Sequence, residues 1–467
     1  MEYICYECVG EEYLRHEILA NGNVNECSFC GEDENHCFTL KEIIEKVEFV
    51  ILENYERTAQ DPDFWEEFMS RETGWDRDGQ IVYDILINDF DFNPEAAAEI
   101  SEYLQKKHYD HSAAEMYEES EFGQDTHYKI KSVSSQGWIS QWEEFKRIIK
   151  YESRFFNKNI SNTLVNIFHE IELITTIDGV SVVTTIGPNS EIKSLFRART
   201  FYSTDKILET LTNPSKFLGP PPSTNATTGR MNAKGISVFY GSTNKDVAIA
   251  EVRPPVGSNV ITAQFDLLQP VKLLNFELLN EVIDSLSVFH PDYKSRMEKI
   301  AFLTHFSTLI TYPVMPGDEE LEYLPTQAIA DFLTERYDGL IFPSVQVNFS
   351  DKNNVVLFNK SSRVEEFKPK KGNHFSSHHS IGDPDDPYEE FYIFEGKNKS
   401  EVTEDSKIVT DSRDCTLRLN VESITVNKIT AVDYIKTETT VSHMFLQDLG
   451  DTTDSTGSEF SDFSFIM

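Results

Sequence analysis

Between residues 229 and 251 the chain sets an arginine, a tyrosine and a glutamate at the joints of one loop, one strand and one helix. Arg230 follows Gly229 in a loop that Pro220-Pro221-Pro222 introduces. An arginine beside glycine can aim its planar fork at a phosphate or a carboxylate. Tyr240 closes the apolar run Ile236–Tyr240, where its ring can line a pocket and its hydroxyl can reach a ligand. Glu251 falls in the last turn of a short helix containing Val247, Ala248, Ile249 and Ala250, which Ser242 or Thr243 is expected to cap and Arg253-Pro254-Pro255 to stop. A carboxylate there meets the negative end of the helix dipole, at a cost of roughly 0.3–1 kcal/mol. Either it is kept for chemistry or it pairs with Arg253. Ser344 follows Phe342-Pro343 at the end of another apolar strand, where α/β sheets often place site residues. Phe196-Arg197-Ala198-Arg199 offers further cations. A lone Arg, Glu or Ser is usually a solvated surface residue. As an ordered set they suit an anionic, nucleotide-like molecule.

The cysteines form a second constellation. Six lie at positions 5, 8, 27, 30, 37 and 415, and five of them crowd the first 37 residues. Cys5-x-x-Cys8 and Cys27-x-x-Cys30 have the spacing of a four-thiolate zinc ribbon, each pair making a tight knuckle. Gly31 eases the turn after the second pair. Four thiolates leave no open coordination position, so the Zn2+ expected here is structural. His36 and Cys37 read as spare neighbours.

The elements that must position these residues are read from periodicity. A capping box at Thr39 and Glu42 opens a helix with Leu40, Ile43, Ile44, Val47, Val50 and Ile51 on one face. Asn93-Pro94 starts another. Trp138, Trp142, Phe145 and Ile149 mark a third stripe, and Leu164, Ile167, Phe168 and Ile171 a fourth. These read as core, together a helical bundle. From about residue 180 the pattern changes to short strands: Val180–Ile186, Ile236–Tyr240, Val260–Phe265, Val271–Leu274, Leu340–Phe342 and Val355–Phe358. Pro325 to Tyr337 reads as a helix with proline in its first turn. Lys368–Gly372 and Asp383–Pro387 read as linkers, 414–435 as a strand or two, and the stretch beyond Lys436, which has no further Lys or Arg, as disordered.

The layout expected is a zinc-ribbon-like module at 1–38, a helical domain at 39–180, a catalytic domain at 186–362, and a linker with an acidic extension at 366–467. At 467 residues two to four domains are expected. No apolar run is long enough to span a membrane, and the first residues lack a signal pattern, so a cytoplasmic location is expected. Seventy-nine acidic against 42 basic residues give a net charge of −37, which disfavours nucleic acid as a partner and favours solubility. A local basic pocket for a small anion is compatible with that field.

The ordered segments Leu195–Arg199, Gly229–Gly235 with Val238-Phe239-Tyr240, Ala248–Glu251, Pro325–Ala330, Asp338–Ser344 and Asn354–Phe358 resemble the RES family, over about residues 190–360. The resemblance implies an α/β fold similar to ADP-ribosyltransferases, and so a multidomain α+β chain overall. It implies NAD+ as substrate, with the nicotinamide–ribose bond cleaved and phosphate as acceptor. In that frame Glu251 stabilises the oxocarbenium character of the ribose and Arg230 holds the pyrophosphate or the incoming phosphate. Tyr240 packs on nicotinamide or ribose, and Ser344 bonds the nucleotide. Arg197 adds charge, with Arg199 as the alternative, and Asn232 is a further substrate-binding residue. The helical region resembles the HEPN-type domain of longer RES proteins. It lacks an Arg-x4–6-His between 39 and 175, so RNA cleavage is not expected. Expected partners are NAD+, phosphate and an antitoxin or regulatory protein, and a homodimer is left open. The alternatives are a protein ADP-ribosyltransferase using the same site, and a non-catalytic interaction protein.

Overall fold

The computed structural model describes residues 2–69, 74–111, 115–116, 118–284, 286–315, 317–347, 352–383, 386–397 and 411–441. The acidic stretch from 442 onward, expected to be disordered, lies outside them. No helix among them is long and apolar enough to cross a membrane.

Strands Tyr3–Cys5, Asn23–Asn25 and Asn35–Thr39 form a three-stranded sheet, with the last strand in the middle. Helix α1 (Glu12–Asn21) connects the first two. Thr39 then caps α2 (Leu40–Asn54) through the reciprocal box with Glu42, and Asn93 caps α3 (Pro94–Lys107). The cysteine module is not a separate body: Ile4, Val9, Leu14 and Ile18 share one core with Ile43, Val47 and Ile51 of α2 and Ala97, Ile100 and Leu104 of α3.

The single helical bundle expected from the four stripes is not what forms. Helices α4 (Gln136–Tyr151) and α5 (Lys158–Phe168) leave the first core, and Trp142, Phe145, Leu164 and Phe168 join another. An amphipathic stripe specifies that a face must be covered, not by what. Here the larger apolar surface is a sheet.

That sheet has nine strands: β1 (Val183–Ile186), β2 (Ser194–Phe201), β3 (Phe239–Ser242), β4 (Asn259–Leu267), β5 (Val271–Asn275), β6 (Gly339–Pro343), β7 (Asn353–Leu357), β8 (Val364–Glu365) and β9 (Leu417–Lys428). Their spatial order is β8-β9-β4-β2-β3-β7-β6-β5-β1. Only β5 with β6 and β8 with β9 run parallel. Strand alternation divides the residues between two cores. Leu340, Phe342 and Val356 share a core with Phe145 of α4 and Leu164 of α5, whereas Ile341, Val355 and Leu357 belong to the core on the opposite face.

The crossover from β5 to β6 carries two long helices, Tyr293–Thr311 and Leu324–Leu333. On the first, Phe306 meets the rings of Trp142, Phe168, Phe276 and Phe302 at 5.3–6.0 Å. Phe306→Ala is expected to cost about 3–5 kcal/mol in urea unfolding. A loss below about 1 kcal/mol would mean that this junction is not a single packed core.

Among the described residues beyond 366 the chain forms more strand than its composition suggests. The segment read as linker holds a long hairpin, Asn373–Asp383 with Asp386–Lys397. Ser377 fastens it to the Leu208 carbonyl at 2.7 Å. Strand β9 inserts between β8 and β4, burying Leu417 and Leu419. The acidic and hydroxyl residues of these strands mask an apolar alternation that only the partner sheet makes evident.

Candidate active site

One rung of the sheet sets the frame. Phe196 of β2 pairs with Ser242 of β3, Ser242 with Asn354 of β7, and Asn354 with Phe342 of β6. A cleft of about 440 Å3 lies over this rung, lined by Arg197, Arg230, Tyr240, Glu251, Arg253 and Asn354 among others. Four residues distant in sequence are therefore neighbours by strand register.

Helix α6 (Lys245–Glu251) delivers the carboxylate. Its cap is Asn244, whose side chain accepts from the Asp246 N–H, and not Ser242 or Thr243. Ser242 is a strand residue here, buried, and its hydroxyl donates to Asn354 Oδ1 at 2.8 Å. Asn354 Nδ2 in turn donates to Glu251 Oε1 at 2.8 Å, and Ser344 Oγ donates to the same oxygen at 2.5 Å. Ser344 is itself buried just past the end of β6, and its hydroxyl accepts from the Gln346 N–H. Both bonds use Oε1, which leaves Oε2 for the open cleft. No ion pair joins Glu251 to Arg253 among the described residues.

The two expected arginines are fixed differently. Arg197 donates to the Tyr240 carbonyl at 3.0 Å and lies over the Phe239 ring at 5.1 Å. Burial and the neighbouring Arg199 pull its pKa down to about 9. Arg230 grips the end of helix Tyr293–Thr311, donating to the Ile310 carbonyl at 2.7 Å and the Tyr312 carbonyl at 3.1 Å. Its guanidinium rests on the Tyr323 ring at 5.1 Å, and burial lowers its pKa. A cation at those carbonyls also complements the helix dipole.

Three expectations meet a different geometry. Arg199 turns away from the cleft and donates to the Gly219 carbonyl at 2.7 Å. Asn232 is buried and does not line the cleft; its Nδ2 donates to the Thr227, Ala233 and Ile236 carbonyls. The Tyr240 hydroxyl is committed to the same loop, donating to Asn232 Oδ1 and accepting from the Met231 N–H, both at 2.9 Å. Tyr240 still lines the cleft, and burial raises the phenol pKa. A loop of this kind must satisfy its own backbone groups, and Asn232 and Tyr240 do so. Gly229 is required there, because a Cβ would come within 2.5 Å of Asn232 Oδ1 and 2.8 Å of the Tyr240 oxygen.

Sequence reasoning gave no place in the site to Asn354, Ser242, Tyr323 or Gln346. Asn354 opens a run of Val and Leu, and an amide in such a run was the available signal.

Near the start of the chain, Cys5, Cys8, Cys27 and Cys30 bring their sulfurs within 4.8 Å of one another. Cys5 to Cys30 is 3.6 Å and Cys8 to Cys27 is 3.8 Å. Tetrahedral ligands about 2.3 Å from one Zn2+ lie about 3.8 Å apart, so the donor set and its spacing fit such an ion. Cys37 is outside the quartet, with its sulfur on the Asn25 and Asn35 carbonyls, and His36 turns to the Gly22 carbonyl.

Two family models match the chain. The RES domain family model matches residues 199–377, and the HEPN/RES N-terminal domain 1 model matches residues 20–163. No curated protein matches the chain. Among solved structures, a chain of the M. tuberculosis MbcT-MbcA toxin-antitoxin complex is similar at 10% identity, over 36% of this chain and 74% of that one. Its TM-score is 0.21, a likeness that carries no structural conclusion.

Proposed function

We propose that this chain, which carries a RES domain behind a HEPN/RES N-terminal domain, consumes NAD+ by transferring its ADP-ribosyl group to phosphate. The bond between the ribose C1″ and the pyridinium nitrogen breaks, and its electron pair leaves with neutral nicotinamide. A phosphate oxygen forms the new bond at the same carbon, giving a 1″-phosphorylated ADP-ribose. Neutral nicotinamide needs no general acid. What the protein must supply is negative charge beside the forming oxocarbenium ion and positive charge around the phosphates.

The observation that carries this reading is the state of Glu251: pinned through Oε1 by Ser344 and Asn354, with Oε2 left for a cleft whose other charged lining residues are arginines. Glu251 stabilises the ribose cation. Ser344 and Asn354 hold the carboxylate in place, which gives Ser344 a positioning role in addition to any bond it makes to the nucleotide. The Tyr240 ring packs on the nicotinamide or ribose. Arg230 and Arg197 set the potential that admits an anion into a chain of net charge −37. The four-cysteine cluster holds a structural Zn2+, and a regulatory protein or antitoxin restrains the enzyme.

Incubating the purified chain with NAD+, with and without phosphate, and identifying the products by mass spectrometry tests the reading. Phosphate-dependent nicotinamide release with a phosphorylated ADP-ribose supports it. A mass gain on a protein would move the acceptor from phosphate to protein, and no nicotinamide release under any condition would end it. Asn354→Ala removes one hydrogen bond to a charged group, so turnover is expected to fall roughly 10- to 100-fold. The far-UV spectrum should be unchanged. Unaltered turnover would show that Ser344 alone suffices to place the carboxylate.

A further inference from the structure

Three arginines line the cleft, but only one is uncommitted. The guanidinium of Arg197 is on a carbonyl and a phenyl ring, and that of Arg230 is on the end of a helix. Arg253 is exposed, and its side chain makes no hydrogen bond or ion pair among the described residues. It reaches the neighbouring groups only through space, as the depressed pKa of Glu319 records, after the larger effect of the backbone N–H groups of Glu319 and Gly317.

The backbone under Arg253 is unusual. It follows Val252, the C-terminal cap of α6, with φ +44°, the left-handed conformation that glycine ordinarily supplies at this place after a helix. Pro254 comes next and narrows the choice further. A cation does complement a helix C-terminus, but any position in the last turn would serve that end without a left-handed backbone. The strain makes sense if the side chain has a task in the cleft. That task is defined by Glu251, two residues earlier: its carboxylate repels any dianion approaching the ribose carbon it serves. An exposed arginine beside it, with no partner among the described residues, can offset that repulsion and grip phosphoryl oxygens in a bidentate fashion.

We infer that Arg253 is the cleft's receptor for a phosphoryl oxyanion, either free orthophosphate or the pyrophosphate of NAD+; the inference rests on the reading of the cleft as an NAD+ site. The two commitments of Arg197 and Arg230 make them fixed background charge, whereas Arg253 makes the adjustable contact.

The test compares Arg253→Gln, Arg253→Gly and Arg253→Lys in the full chain. If orthophosphate is the ligand, the glutamine variant raises its KM on the order of tenfold while kcat at saturation falls far less. If the pyrophosphate is the ligand, calorimetric NAD+ affinity in the Glu251→Gln background falls by a similar factor and the phosphate KM holds. The lysine variant restores part of either loss. Arg253→Gly relieves the backbone, so it should melt at or above the parent temperature and still show the binding defect. A structural arginine would give the reverse: lower melting and unchanged binding. Phosphate KM and NAD+ affinity within about twofold of the parent in all three variants would overturn the inference while leaving NAD+ consumption standing. If the parent releases no nicotinamide, the enzymatic reading falls instead. Calorimetry of NAD+ and orthophosphate with parent and Arg253→Gln then decides separately: weaker binding by the variant supports the receptor, and equal or absent binding overturns it.

Discussion

Replacing Glu251 with glutamine is expected to slow nicotinamide release on the order of a thousandfold and to leave the fold intact. The substitution isolates charge from shape. A glutamine carbonyl oxygen can still accept from Ser344 Oγ and Asn354 Nδ2, as Glu251 Oε1 does, so the rung from Ser242 through Asn354 stays closed. What disappears is the negative charge that meets the ribose cation in the transition state. Stability should move the other way, if at all. Glu251 is the last residue of α6, where the dipole disfavours a carboxylate by roughly 0.3–1 kcal/mol. A variant that melts no lower than the parent and has lost turnover places the carboxylate in the chemistry. Turnover within about threefold of the parent would remove Glu251 from that role, and the electrostatic account of the cleft with it.

The parts of this site that were legible in the sequence were those with local signals. Glu251 stood out because it occupies the wrong end of a helix, Arg230 because it follows glycine in a polar loop, and Ser344 because an apolar strand stops just before it. Asn354 offered only an amide at the head of a Val and Leu run, which says nothing of what it touches. Its importance comes from register: β3 and β6 flank β7 so that Ser242 lies on one side and the Ser344 turn beyond the other. No property of residues 353–357 alone specifies those neighbours. Asn232, which the resemblance made a substrate-binding residue, uses its amide to close the loop on three carbonyls and on the Tyr240 hydroxyl, a task that register and loop geometry set rather than any local signal. The fold divides in the same way. Helix boundaries at Thr39 and Asn93 were set by capping chemistry, whereas the destination of α4 and α5 depended on an apolar sheet face assembled from strands more than a hundred residues later.

Removing the metal expected at the cysteine cluster should unfold the N-terminal core and spare the sheet. The four sulfurs sit within 4.8 Å of one another, and burial pushes the Cys8 thiol far above its ordinary pKa, helped by the charge of Cys27 and Cys5. Without a cation the quartet must either take up protons or separate. Backbone hydrogen bonds carry that disturbance into the helices. The Cys8 carbonyl accepts from the Asn93 N–H at 3.0 Å, and the Gly10 N–H donates to the Asp91 carbonyl at 2.8 Å, which ties the first knuckle to the start of α3. The same core runs on to Ile100 and Leu104. Structural zinc sites of this kind are worth about 10–16 kcal/mol in zinc-finger peptides, as much as the whole net stability of an ordinary domain. Cys27→Ser, or treatment with a chelator, is therefore expected to abolish hydrogen-exchange protection across α1, α2 and α3. The parent should contain stoichiometric zinc by elemental analysis. Strands β6 and β7 belong to the other two cores and should keep their protection. The connection between the bodies includes Phe289, whose ring meets Phe90 at 4.8 Å, so the loss should extend to residues 286–292 and stop at the aromatic junction around Phe306. Full protection of α2 and α3 after zinc loss would show that their apolar packing suffices alone. Loss of protection in β6 and β7 as well would show that the cores unfold as one.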